Sequence, residues 1–106
     1  MTVKQFTKLA LALEGTEQHP HFDRIAFKVP KNRIFATLHE PSQSVNLMLS
    51  VVDQSVFCQY DKSMIYPVPN KWGLKGVTTF ELKKVPQALL KDALETAYRD
   101  SLKKKR

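Results

Sequence analysis

The sequence predicts an α+β domain of two layers, in which helices cover one face of a single antiparallel sheet. Apolar residues recur at helical spacing near both ends of the chain, whereas the middle alternates with a period of two. Short turns that contain Pro or polar residues separate the alternating segments, as in an antiparallel meander. The predicted order is α-β-β-β-α-β-β-α, which is α-β3-α-β2-α in short form.

The first helix is predicted to begin after Thr2. Thr2 and Gln5 have the spacing of a capping box, in which each side chain bonds to the backbone N–H of the other. Gly15 is placed to end the helix, because glycine adopts a left-handed conformation without strain. The apolar stripe between them comprises Val3, Phe6, Leu9, Ala10 and Leu13.

Three strands are predicted, over residues 25–29, 34–38 and 45–49. The first and the third alternate clearly between apolar and polar side chains. Since neighbouring side chains of a strand point to opposite faces, Lys28 and Asn46 are expected on the face that the helices leave open.

The faces of the strand at residues 34–38 are ambiguous. If Ile34, Ala36 and Leu38 point to the core, Phe35 and Thr37 lie on the open face. The open face would then carry Lys28, Phe35, Thr37, Asn46 and Thr79. Such a face offers donors for phosphates and a ring for base stacking. The alternative is an ordinary solvated face, whose outward residues are polar in any antiparallel sheet.

The second half of the chain supplies the remaining elements. Ser50 and Asp53 again have capping-box spacing, which predicts a helix from Val51 to about Cys58, although its valines would also suit a strand. Residues 66–69 contain two prolines and are expected to be extended.

A turn bounded by Gly73 and Gly76 then precedes a strand over residues 77–82. Pro86 suits the first turn of the last helix, where its missing N–H has no consequence. The stripe of that helix comprises Leu90, Ala93, Leu94, Ala97 and Tyr98.

Length and composition predict one domain over residues 1–106, without internal repeats. No stretch approaches the roughly 18 apolar residues that cross a bilayer, so we expect no membrane partner. The single cysteine, Cys58, cannot form an internal disulfide, and we expect a cytoplasmic monomer. The net charge is +7, and four of the positive charges are Lys103 to Arg106. This basic tail is either a solvated helix end or a phosphate-binding segment.

Residues that carry out chemistry are sparse. His19 and His21 are two positions apart, which permits a metal site, but the pair favours a loop-to-strand junction held by imidazole hydrogen bonds. Cys58 has no base in a recognisable nucleophile motif, and neither a G-x-S-x-G elbow nor a phosphate-binding glycine loop occurs. We therefore expect no enzyme activity, no cofactor and no bound metal.

Basic residues gather at two predicted connections. Lys31 and Arg33 lie in one, and Lys71 and Lys75 flank Trp72 in the other. Cations in such turns neutralise phosphates without reading sequence. Trp72 is either a plug over the end of the core or a residue on which a base stacks.

The sequence resembles the YjbR/MmcQ family of small bacterial proteins over nearly its whole length. The most specific part runs from Pro67 or Pro69 to Thr78 and contains Lys71-Trp-Gly-x-x-Gly-x-Thr78. Val77 departs from the second Trp expected there. The other matching segments are residues 19–28, 34–38, 45–50 and 66–70.

The resemblance implies a CyaY-like fold of order α-β3-α-β2-α and a non-catalytic DNA-binding function, with no catalytic residues to carry over. A similar frataxin-type fold binds iron through acidic residues of its first helix, but here only Glu14 lies near Lys4 and Lys8, which disfavours iron. The candidate nucleic-acid contacts are Lys28, Lys31, Arg33, Phe35, Asn46, Lys71, Trp72 and Lys75. The alternative is a protein-docking domain that uses the open face or an edge strand.

Overall fold

The computed structural model describes residues 1–103 and confirms an α+β fold with one antiparallel sheet. Within that range the helices are α1 (Val3–Leu11), α2 (Val51–Phe57), α3 (Lys71–Leu74) and α4 (Gln87–Ser101). The strands are β1 (Glu17–His21), β2 (Arg24–Lys28), β3 (Ile34–His39), β4 (Ser44–Met48), β5 (Ile65–Pro67) and β6 (Val77–Glu81). Their order in the sheet is β1-β2-β3-β4-β6-β5.

The described residues, 1–103, contain one strand and one helix more than predicted, β1 and α3. The prediction of a junction at His19 and His21 is wrong, because both lie within β1, which pairs with β2 along its whole length. β1 was not predicted, because all of its side chains are exposed and show no alternation of apolar and polar residues. α3 has only four residues, one of them Gly73, and therefore looks like a turn in the sequence.

Capping residues set the helix starts as predicted. Thr2 and Gln5 form the complete capping box of α1. Ser50 Oγ accepts a hydrogen bond from the backbone N–H of Asp53 at 3.0 Å, and residues 51–57 are helix and not strand. α1 ends at Leu11, however, earlier than the expected stop at Gly15. No helix within residues 1–103 is both long and apolar enough to cross a membrane.

Aromatic pairs join α1, α2 and α4 to one face of the sheet. The ring of Phe6 on α1 packs edge-on against Phe27 of β2, with centroids 5.6 Å apart. Phe57 of α2 packs in the same way against Phe80 of β6, at 6.1 Å. Buried aromatic rings contribute large apolar areas and favour this edge-to-face geometry. Together with the contact between Tyr98 of α4 and Phe35 of β3, these pairs fix three helices on the same face and leave the centre of the other face without a helix over it.

Phe35 lies in the core and not on the open face, so that part of the prediction is wrong. Phe27 pairs with Ala36, whereas the next residue, Lys28, pairs with Ile34. Phe35 is thus the extra residue of a β-bulge, which breaks the strict alternation of the strand. Its side chain is fully buried, and its ring packs against Tyr98 of α4 with centroids 5.5 Å apart.

Candidate functional site

A row of side chains crosses the open face from one edge of the sheet to the other. Directly paired residues share a face in an antiparallel sheet, so the strand register defines this row. It comprises His19, Ala26, Thr37, Asn46, Thr79 and Tyr66. Because the four central side chains are short, the middle of the face lies lower than its borders.

A cavity of about 640 Å³ occupies this depression. Its volume falls within the roughly 300–1,000 Å³ of clefts that hold small ligands. The sheet forms its floor, and α3 forms the border on the side of β6. Its lining residues are His21, Arg24, Arg33, Thr37, Asn46, Met48, Leu49, Val68, Asn70, Trp72, Lys75 and Val77.

Arg24 is a fixed cation at the β2 and β3 side of the cavity. Its Nε donates to Thr37 Oγ1 at 2.8 Å, and its Nη2 donates to the Thr37 carbonyl oxygen at 3.2 Å. Burial lowers the pKa of the guanidinium, while neighbouring Asp23 raises it. Since a guanidinium has five N–H groups, the two bonds to Thr37 leave donors for a ligand.

Two amide side chains of the lining also present donors. Thr79 Oγ1 donates to Asn46 Oδ1 at 2.7 Å, which occupies the amide oxygen. Asn70 Oδ1 caps α3 by accepting from the backbone N–H of Trp72 at 2.9 Å. Among residues 1–103 neither Nδ2 group has a hydrogen-bond acceptor, so both amides offer N–H groups to the cavity.

Trp72 stands at the cavity border with 58 % of its surface exposed. It is therefore not the plug over the core that the sequence allowed. Lys75 Nζ lies 5.2 Å from the centre of its ring, in the range of a cation–π contact. An indole ring beside a cation is a combination that binds flat, negatively charged molecules.

Close backbone contacts hold α3 and Trp72 in place. A Cβ atom on Gly73 would lie 1.9 Å from the carbonyl oxygen of Val68, and one on Gly76 would lie 1.9 Å from that of Leu49. Gly76 also has φ +114°, a conformation that favours glycine. The glycines are therefore needed for the chain to pass this close to its neighbours.

Gln54 adds a side-chain link to the same turn. This buried residue of α2 donates from Nε2 to the carbonyl oxygen of Gly73 at 2.9 Å and to that of Val77 at 3.2 Å. A buried amide with two partners fixes the peptide groups to which it bonds. α3 is thus tied to the helix layer as well as to β6.

The electrostatics of the cavity favour an anion. Within the part of the chain that the structure describes, the lining includes Arg24, Arg33 and Lys75 but neither Asp nor Glu. Arg33 also pairs with Asp100 of α4, at 2.8 Å between Nη2 and Oδ2, which partly offsets its charge. Arg24 and Lys75 are the cations that the cavity holds without such a direct partner among these residues.

The structure brings together four of the eight predicted contact residues. The four that line the cavity are Arg33, Asn46, Trp72 and Lys75. Lys28 lies on the open face as expected but pairs in register with Glu17 on β1. Lys31 and Lys71 are exposed outside the lining, and Phe35 is in the core.

Arg24 is the most important residue that the sequence reasoning missed. It lies two and four positions before Ala26 and Lys28, so the alternation that placed Lys28 would have placed Arg24 on the same face. In the basic tail, Lys103 is exposed and its Nζ lies 3.6 Å from Asp100 Oδ1. Residues 104–106 lie outside the described range.

The histidines have local partners. His19 Nε2 lies 3.2 Å from Glu17 Oε1, and His39 Nε2 lies 3.3 Å from Asp23 Oδ2. Across residues 1–103 no group of three or more His, Cys, Asp or Glu side chains has the arrangement of a metal site. One contact is therefore a surface pair on the edge strand β1, and the other joins the end of β3 to the turn between β1 and β2.

Tyr66 ends the row of open-face residues. Its hydroxyl donates to Glu81 Oε2, and this hydrogen bond is the main reason that the pKa of Tyr66 rises to about 12. Desolvation and the charge of Glu81 act in the same direction. The phenol is thus held as a protonated hydrogen-bond donor.

Two solved structures have the same fold. A Deinococcus radiodurans protein with a DUF419 domain is 23 % identical to this chain, with a TM-score of 0.80 over 97 % of this chain and 80 % of the other. A Pseudomonas syringae protein is 16 % identical, with a TM-score of 0.72 over 95 % of this chain and 99 % of the other. No curated protein sequence matches this chain.

The family resemblance is confirmed by a match to the YjbR family model over residues 11–100. That range includes all six strands, the glycine turn and every residue that lines the cavity. With its fold and its cavity inside the matched region, this chain belongs to the YjbR family.

Proposed function

We propose that this domain is a non-catalytic module that binds nucleic acid, DNA in particular, at the open face of its sheet. The observation that carries the proposal is the cavity lining, in which Arg24, Arg33 and Lys75 occur with no Asp or Glu from residues 1–103. Phosphate groups are the anions that such a set of guanidinium, ammonium and amide donors binds. We also propose that the fold is CyaY-like, as the family resemblance implies.

The contacts of α4 with the sheet favour a mode of DNA binding in which no helix reads the major groove. α4, the longest helix, buries Leu90, Leu94 and Ala97 against the sheet and is not free to enter a groove. Lys31 and Lys71 are exposed and lie two and one positions along the chain from the lining residues Arg33 and Trp72, so they add positive charge beside the lining. Affinity should therefore come from phosphate contacts and fall steeply with salt as counterions are released.

The test compares three variants with the parent in DNA-binding titrations at several salt concentrations. The first changes Arg24 and Lys75 to Gln. The matched control changes Lys91 and Arg99 to Gln, which removes the same charge from exposed positions of α4. The third variant lacks residues 103–106.

The proposal predicts that only the first variant loses most of its affinity, and that its log–log salt slope falls by about one unit per cation removed. Equal loss in the control or the truncated variant would mean that general positive charge, and not the cavity, binds DNA. If the parent binds neither DNA nor RNA at low salt, the nucleic-acid proposal falls. The exposed edge strand β1 would then make strand addition by a protein partner the remaining candidate.

A further inference from the structure

The cavity has two chemically different sides. On the side of β2 and β3 it offers the N–H groups of Arg24, with the Asn46 amide next to them on β4. On the side of β6 and α3 it offers the ring of Trp72 and the apolar side chains of Val68 and Val77, together with the Lys75 ammonium and the Asn70 amide. A ligand that fits both sides has an anionic group at one end and a flat apolar group at the other.

The separation of the two sides suits a small ligand unit. The Arg24 guanidinium lies over Thr37 of β3, and β6 is two strands away in the sheet. Two strand spacings amount to about 10 Å. This distance is comparable with the reach of one nucleotide from its phosphate to its base.

The indole of Trp72 is available for stacking and is fixed in position. More than half of its surface is exposed, and Lys75 lies near one side of the ring. The close approach of Gly73 to Val68, together with the Asn70 cap, holds the backbone on both sides of Trp72. A ring fixed before binding gives up less conformational freedom when a base stacks on it.

From this arrangement we infer that the cavity takes one unpaired nucleotide, with its phosphate at Arg24 and Asn46 and its base against Trp72. The inference rests on the proposed function and deepens it. In a duplex the faces of the bases are hidden in the stack, so only an unpaired base can present a face to Trp72. The domain therefore prefers single-stranded or unpaired segments to intact duplex.

The preference is tested with a labelled single strand of thymidylates and a hairpin duplex that contains the same number of phosphates and whose two strands are joined by a linker without bases. We expect tighter binding of the single strand. Trp72 is the only tryptophan of the chain, so its fluorescence reports directly on the site. Quenching by the single strand and little change with the hairpin support the inference, whereas equal affinity and no quenching by either overturn it.

The contribution of the ring is tested with Trp72→Ala and Trp72→Phe. Loss of a stacked base weakens single-strand binding roughly 5- to 150-fold. We expect a loss of this size in Trp72→Ala, a substantial restoration in Trp72→Phe and unchanged hairpin binding in both. Leu74→Ala is the matched control, because Leu74 is an exposed apolar residue of the same helix and does not line the cavity.

The result separates the two proposals. If Trp72→Ala binds single strands as the parent does, while the Arg24 and Lys75 variant has lost affinity, the unpaired-nucleotide inference is wrong and nucleic-acid binding by the cavity stands. If binding depends on neither Trp72 nor the two cations, both proposals are wrong.

Discussion

Gly73→Ala tests whether α3 is pressed against its neighbour as the structure describes. In an isolated helix, replacing Gly by Ala stabilises by about 1 kcal/mol. Here the new Cβ would lie 1.9 Å from the Val68 carbonyl oxygen, whereas an ordinary carbon–oxygen contact is about 3.3 Å. The two segments must therefore separate by about 1.4 Å. Both are backbone, so neither can relieve the contact by rotating as a side chain would.

The expected result is destabilisation. Overpacking of this kind costs about 1–3 kcal/mol. Displacement of the Gly73 carbonyl also weakens its hydrogen bond to Gln54, and a bond of this kind contributes about 1 kcal/mol. The loss of this bond offsets the gain in helix propensity. The net loss of about 1–3 kcal/mol lowers Tm by at least about 4 °C in a domain of this size.

Thermal and urea unfolding followed by far-ultraviolet circular dichroism measure this loss. The neighbouring substitution Leu74→Ala is the control, since Leu74 is exposed and its removal should change stability by less than about 0.5 kcal/mol. If Gly73→Ala is as stable as the parent or more stable, α3 is not held against Val68, and the fixed position of Trp72 is wrong as well.

Three further predictions concern the core and two titrating groups. Phe35→Ala should lower the free energy of unfolding, measured with urea, by about 3–5 kcal/mol because Phe35 is fully buried. The control Phe22→Ala should change it little, because Phe22 is 97 % exposed. Similar losses in the two variants would contradict the bulge. Ultraviolet absorbance should show Tyr66 ionising near pH 12, and Glu81→Gln should lower its pKa. The pKa of Tyr66 is higher in the folded than in the unfolded protein, so the bond stabilises the fold fully below the unfolded pKa of about 10, and this stabilisation is lost as the pH rises to about 12. An unchanged titration of Tyr66 in Glu81→Gln would contradict the bond. Burial raises the pKa of the Cys58 thiol, so maleimide should react with it more slowly at neutral pH than with an unstructured cysteine peptide, and equal rates would show the thiol to be open.

Local rules of the sequence were sufficient wherever one element supplied all of the information. The capping box at Thr2 and the serine cap at Ser50 place the helix starts. Alternation along single strands places Lys28 and Asn46 on the open face. The single antiparallel sheet with α1, α2 and α4 on one face follows from the same periodicities, whereas α3 at the border of the open face does not.

The failures occurred where a second element decides the outcome. Phe35 turns to the core because the bulge forms against β2, which the alternation of β3 alone does not show. β1 is a strand because β2 pairs with it, although its own side chains have no apolar pattern. The role of Arg24 depends on Thr37, 13 positions further along the chain.

For the candidate site, the sequence predicted some of the residues but not the cavity that they line. Composition and the Lys-Trp-Gly segment indicate a cationic and aromatic surface, and Trp72 and Lys75 do line the cavity. The concavity itself depends on short side chains from four strands lying in one row. No single segment of the sequence carries that signal.

The two hydrogen bonds from Gln54 have a mechanical consequence. Gln54 belongs to a helix that packs behind the sheet, yet it grips the carbonyl groups of Gly73 and Val77, on either side of the turn in front. The Gln54 side chain therefore links α2, on one face of the sheet, to the turn before β6, on the other. A displacement of α2 would strain both bonds at once, so the position of the turn that carries Trp72 depends on a helix that packs on the opposite face of the sheet.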